Sequence, residues 1–292
     1  MSQLAKPGYD SVLKRIFKTL RRSPLNRLSG MTRLYREMVV RLHGTNEIQV
    51  GEFTITVDSR DRCIAPKLIV DGGFEQKEIE VLCSLINPGD VVFDVGANIG
   101  LYTLAMSRAV GATGTVVAFE PDPDNLRILN HNVAQNNCNN VLIMPYALGS
   151  ADGEMDLYQV DNNRGYLSFA DLSGTGSSVK VPVRCGESVL RELDIIKPAI
   201  VKIDVEGAEP LVISGLGCNP QYIQFEFVPV QLKALNFDPI GFLKQIVSDG
   251  YKLSVIDRDT GELHLMVLED LVHIAGTSGQ DFNLMAILEL GN

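Results

Sequence analysis

Asp94-Val95-Gly96-Ala97-Asn98-Ile99-Gly100 decides the fold. Val91-Val92-Phe93 leads into it as a short apolar run, and Leu101, Leu104 and Ala105 continue it at helical spacing. The stretch therefore reads as strand, tight turn and helix. Glycine lets such a turn adopt backbone angles that other residues avoid and lets a ligand approach the main chain, while the helix start offers free N–H groups. Twenty positions after Gly100 the next strand ends at Phe119-Glu120-Pro121-Asp122. A carboxylate there can accept both hydroxyl hydrogens of an adenosine ribose. Together the two signals predict a nucleoside cofactor in a Rossmann-like crevice, held by Asp94, Gly96, Ala97, Asn98, Gly100 and Glu120.

Outward from this turn, Val116-Val117-Ala118-Phe119, Val141-Leu142-Ile143, Ile200-Val201-Lys202-Ile203 and Ile223-Gln224-Phe225 are further short runs between helical segments. Strands of this kind belong to a parallel sheet buried on both faces, an α/β architecture. Residues 251–256 and 283–288 are expected to close the sheet as an antiparallel hairpin. A helix over about 75–86 precedes the core and ends at Asn87-Pro88-Gly89, a stop signal. Strand-like 154–160 and 179–184 flank the Gly/Ser-rich stretch 173–178, so about 150–199 reads as an insertion with a loop at its tip. Residues 51–292 form the expected main domain, with Phe53–Val57 as a half-buried strand at its start, and 1–50 form a helical N-terminal extension.

The composition sets limits on function. The chain has 292 residues, 45% of them apolar and 21% charged, which is ordinary for a globular protein. Its net charge of −10 is unevenly distributed: residues 1–44 carry ten Lys/Arg against Asp10 and Glu37, or +8, which leaves −18 on the remainder. An acidic body argues against nucleic acid as the ligand, because phosphate binding needs a basic footprint. The basic arm has three readings: a solvated helix face, a membrane-surface or partner-binding helix, or a lid over substrate. The five cysteines are scattered without a Cys-x-x-Cys pair, which points to a reducing compartment and no zinc site. With no apolar run of roughly 18–20 residues and no signal-peptide core, a cytoplasmic location is expected. Oligomeric state has no signature in the sequence.

Two cofactor classes compete for the turn. A dinucleotide brings a pyrophosphate and favours Gly-x-Gly-x-x-Gly, but this turn has Asn98 where the second glycine would stand and an acid, Asp94, just ahead of it. S-adenosylmethionine has no phosphate, and its ammonium suits an acidic turn. The methyl donor is favoured, as is the terminal antiparallel hairpin of methyltransferase sheets. The alternatives are a nicotinamide-dependent oxidoreductase and a non-catalytic cofactor-binding module.

Several segments resemble the FkbM family of S-adenosylmethionine-dependent methyltransferases over about 70–290: Gly73-Phe74-Glu75, Pro88 through Leu104, Phe119-Glu120-Pro121, Asn130 through Asn132, Ala147-Leu148-Gly149, and Lys202-Ile203-Asp204-Val205-Glu206-Gly207-Ala208-Glu209. The last segment is the most family-specific. The sequence departs at Arg184-Cys185-Gly186-Glu187-Ser188, where the family carries a Thr-Leu-Asp run. The resemblance implies a class I methyltransferase sheet and methylation of a hydroxyl on a glycan or secondary metabolite.

Histidines 43, 264 and 273 lie outside every motif and His131 sits on the helix after the ribose acid, so a proton acceptor is sought among carboxylates. Asp204 stands at the carboxyl end of its strand, Glu206 follows, and Glu226 ends the next strand. These three are expected to converge as catalytic residues, with Asp204 also facing the cofactor. Their repulsion raises one pKa toward a useful base, or a divalent cation holds them together. Glu209 reads as a helix-start acid, and Lys202 either neutralises this carboxylate cluster or snorkels from its strand, the second being the preferred reading. Glu75 is placed at the cofactor's amino group, Tyr146 and Ala147 at the adenine edge, and Tyr102 and Thr103 in helix packing.

Overall fold

The computed structural model describes residues 46–58, 61, 63–159, 167–171, 174, 178–276 and 280–289. The basic arm, 1–44, and most of the Gly/Ser-rich stretch lie outside them. Two compact units divide between Phe74 and Glu75. In the first, β1 (Glu47–Val50) and β2 (Phe53–Thr56) pair as an antiparallel hairpin across Gly51-Glu52. Helix α1 (Ile64–Asp71) packs near β1, and Ile48, Ile55, Ile64 and Leu68 are its buried side chains. Asp61 starts α1 by accepting the N–H groups of Cys63, Ile64 and Ala65, three donors that a helix start otherwise leaves open.

The second unit starts with α2 (Gln76–Ser84) and β3 (Val91–Val95), the strand before the deciding turn. There follow α3 (Leu101–Val110), β4 (Thr115–Phe119), α4 (Pro123–Gln135), β5 (Val141–Met144), β6 (Ala147–Gly149), β7 (Gly153–Gln159), β8 (Leu167–Ser168) and β9 (Ser178–Cys185). Next come α5 (Gly186–Glu192), β10 (Ile200–Ile203), α6 (Glu209–Gly215), β11 (Tyr222–Phe227), α7 (Pro229–Ala234) and α8 (Pro239–Ser248). The chain closes with β12 (Tyr251–Ile256), β13 (Leu263–Leu265), α9 (Leu268–Gly276) and β14 (Phe282–Leu288).

Eight strands form one sheet in the order β13-β12-β14-β11-β10-β3-β4-β5. The five from β11 to β5 run parallel, and β14 enters antiparallel between β11 and β12. The sheet is mostly parallel in an α/β arrangement, with the expected terminal antiparallel pair. Strand order reverses between β3 and β10, which opens a crevice at their carboxyl ends. Both faces are apolar, because side chains alternate and helices cover each side. Phe93, Phe119, Val201, Phe225 and Phe227 fill one face, and Val92, Val116, Ile200 and Met285 fill the other with Leu82, Tyr102 and Met106. The insertion around 150–199 builds a second sheet in the order β6-β9-β7-β8, and β7 and β9 are its long antiparallel pair. Among the described residues, no helix is long and apolar enough to cross a membrane.

Candidate functional site

Register across the sheet places the polar residues. Lys202 of β10 pairs with Asp94 of β3 on one side and Gln224 of β11 on the other. The three therefore stand in one row on one face, and Gly96, Asp204 and Glu226, two positions further along their chains, continue that face into the crevice. The sequence reading of Asp204, Glu206 and Glu226 as convergent describes the geometry: each offers a carboxylate oxygen, all within 4.8 Å of one another.

The deciding turn is held from below. Gly96 and Ala97 donate their N–H groups to the Phe119 carbonyl, both at 3.0 Å, and Asn132 of α4 donates to the Ile99 carbonyl at 2.8 Å. Asn98 has φ 51°, and Gly100 opens α3. Gly96 has φ 76°, and a Cβ there would fall 1.9 Å from the Asp204 carbonyl oxygen. The space that glycine leaves is taken by the Asp204 segment rather than left open above the main chain. Ala97 packs with Ala118 and Leu129, and Ala147 is buried in β6, paired to Val183.

Glu120 ends β4 and is 4% exposed. Its carboxylate accepts the N–H groups of Asn98 and Asp122, each at 2.8 Å, and so ties the turn to the second strand. Burial pushes its carboxyl up to about 7, against those two hydrogen bonds. Glu75 starts α2, accepts the Tyr102 hydroxyl at 3.1 Å, and is raised to about 7 by burial and by Asp204. Tyr102 in turn accepts from Gln224 Nε2 at 3.2 Å. Tyr102 and Thr103 pack α3 as expected, but both hydroxyls also serve the acids: Thr103 donates to Asp94.

Two expectations are corrected. Asp94 does not face a ligand: it is 0% exposed, sealed under the turn, with Thr103 and Lys202 as its partners. Lys202 does not snorkel: it is 5% exposed, and its ammonium donates to the Gly96 carbonyl at 3.1 Å, lying 3.5 Å from Asp204 and 3.6 Å from Asp94. Glu209 serves the turn before α6, where it accepts the N–H groups of Val205 and Gly207. Gln231 of α7, which the sequence reading missed, donates to Glu206. That contact needs the close approach at Gly207, whose Cβ would lie 2.9 Å from Gln231.

The electrostatics are one-sided. Burial raises Glu206 and Glu226 well above the usual carboxylate range, and Asp204 beside each raises them further. One buried ammonium, Lys202, faces Glu75, Asp94, Asp204 and Glu206. Such a set attracts a cationic ligand and repels a pyrophosphate. It therefore fits the sulfonium and ammonium of S-adenosylmethionine better than a dinucleotide.

This charge excess has a consequence for stability. In the folded chain Glu120 and Glu209 hold their protons to about 7, whereas their ordinary value is 4.5. The folded state binds more protons than the unfolded state across that window, so stability falls as pH rises through it. The melting temperature without ligand is expected to be lower at about pH 8 than at about pH 6. A flat or rising profile between those values would contradict the assignment.

Residues 94–251 match the methyltransferase FkbM domain, and the chain belongs to that family. It is 28% identical over 156 residues to the hexuronic acid methyltransferase AglP of Haloferax volcanii, covering 53% of this chain and 62% of that protein. It is 28% identical over 159 residues to the 31-O-demethyl-FK506 methyltransferase FkbM of Streptomyces tacrolimicus, covering 45% and 61% respectively. The chain thus spans about three-fifths of the length of these relatives. The crystal structure of a methyltransferase FkbM from Methylobacillus flagellatus aligns over 76% of this chain and 52% of that one, at 14% identity and a TM-score of 0.41.

Proposed function

We propose that the chain is an S-adenosylmethionine-dependent O-methyltransferase acting on a hydroxyl of a glycan or small metabolite. The observation that carries this reading is the convergence of Asp204, Glu206 and Glu226 at the crevice beside the cofactor turn. When bound, the cofactor supplies an already activated methyl group. The chain's own work is then to hold the acceptor oxygen in line and to take its proton. A carboxylate whose affinity for protons is raised by burial and by an acidic neighbour suits that role near neutral pH, as Glu206 and Glu226 are. Orientation within the crevice supplies much of the remaining rate. The hexuronic acid named for the Haloferax relative and the O-demethyl substrate named for the Streptomyces one support a hydroxyl-bearing sugar or metabolite as acceptor.

The reading needs no divalent cation. Lys202 already stands 3.5 Å from Asp204, and Gln231 already donates to Glu206. Transfer is expected to continue in excess chelator, and its loss there, restored by a divalent metal, would overturn this part of the reading.

The direct test is calorimetry with S-adenosylhomocysteine. The unmodified chain is expected to bind it, and Glu120→Ala to weaken binding by about 1.5–3 kcal/mol, roughly 10- to 150-fold, through lost hydrogen bonds to a charged group. No binding by the unmodified chain, or binding of NADH in its place, would sink the proposal.

A further inference from the structure

We propose that Lys202 is the positioning residue of this crevice: its ammonium fastens the cofactor turn, through the Gly96 carbonyl, to the Asp204 carboxylate and anchors both over buried Asp94. The inference rests on the functional reading above and adds a residue to it.

Lys202 lies on the central strand of the row Asp94, Lys202, Gln224, so its side chain rises between the two segments that meet at the crevice. Its ammonium reaches one atom of each: the Gly96 carbonyl at 3.1 Å and the Asp204 carboxylate at 3.5 Å. The Tyr102 ring lies against the ammonium at 4.9 Å, which limits where it can move. Tyr102 is itself held by Glu75 and Gln224, so the start of α2 is connected to the same ammonium. A lysine present only to neutralise Asp94 would have no need to reach either of the other two segments.

Titratable groups face this ammonium from the surrounding elements. They are Asp94 of β3, Glu120 after β4, Asp204 and Glu206 after β10, Glu75 at the start of α2 and the Tyr102 phenol of α3. Beyond them stand Glu226 of β11 and Glu209 of α6. Arg258, after β12, is engaged with Glu78 of α2 and with Asp281. With so many acids around one buried lysine, removing its charge makes the nearest carboxylates hold their protons to higher pH.

The test uses S-adenosylhomocysteine titrated by calorimetry across pH into the unmodified chain, Lys202→Met, and the double variant Asp94→Asn with Lys202→Met. The double variant removes the buried carboxylate that Lys202→Met would strand, so it keeps the test alive if the single variant fails to fold. For both variants, affinity at neutral pH is expected to fall at least about tenfold. The pH below which affinity is lost should move up by about one unit or more. If the double variant binds like the unmodified chain, with the same pH dependence, Lys202 merely pairs with Asp94 and the proposal fails. It fails equally if neither variant folds, since Lys202 is then a core ion-pair residue. If the unmodified chain binds no S-adenosylhomocysteine, the functional reading falls first. Binding by that chain with unshifted variants overturns the Lys202 proposal alone.

Discussion

Gly96→Ala is expected to destabilise the chain by about 3–5 kcal/mol, a large share of the roughly 5–15 kcal/mol by which domains are usually stable. Two independent effects add at this position. The backbone sits at φ 76°, where a Cβ strains the residue, and that Cβ would fall 1.9 Å from the Asp204 carbonyl oxygen and 3.0 Å from its carbon. These are main-chain atoms tied into the sheet, because the Asp204 N–H donates to the Val95 carbonyl at 3.0 Å. Neither segment can give way without breaking that contact, so a repacked side chain cannot absorb the clash. Denaturant unfolding of the variant measures the loss, and a change under about 1 kcal/mol would mean that the two segments do not interlock as described.

Asp204→Asn is expected to separate binding from transfer. The substitution keeps the shape of the side chain and removes the charge shared with Glu206, Glu226 and Lys202. Loss of a positioned proton acceptor, or of the charge that tunes one, lowers turnover by about 100-fold or more. S-adenosylhomocysteine affinity should change by less than about tenfold, because Glu120 is unaltered and Lys202 keeps its bond to the Gly96 carbonyl. A labelled-methyl assay against hydroxyl-bearing sugar acceptors, run beside calorimetry, reads both quantities. Turnover within threefold of the unmodified chain would place the chemistry elsewhere.

Much of the frame is legible in local sequence. The run into Asp94–Gly100, the acid at Glu120 and the short apolar strands each depend on neighbours a few residues away, and periodicity records such relations. The pairing of β12 with β14 was also within reach, but the strand and helix inserted between them, β13 and α9, were not. The convergence of Asp204, Glu206 and Glu226 followed from their positions at strand ends.

What the sequence hides is register between strands far apart in the chain. Lys202 can be assigned only once it is known to lie opposite Asp94 and Gln224, and the sequence does not show that Thr103 and Lys202 engage Asp94. Gln231 reaches Glu206 only because Gly207 admits α7 so closely. Tyr102 sits on a helix whose spacing marks it as an ordinary packing residue, yet its hydroxyl holds Glu75, and Asn132, seen in the sequence only as part of a family segment, holds the turn. Gly96 also makes room for the Asp204 segment, which the sequence does not show.

The central claim is that the crevice between β3 and β10 is where a methyl group is transferred. Its most direct test is a crystal structure of the chain with S-adenosylhomocysteine. The account predicts ribose hydroxyls on Glu120 and the thioether sulfur facing the opening flanked by Asp204, Glu206 and Glu226. Density for the ligand away from that crevice, or a sulfur turned from the three carboxylates, would contradict it.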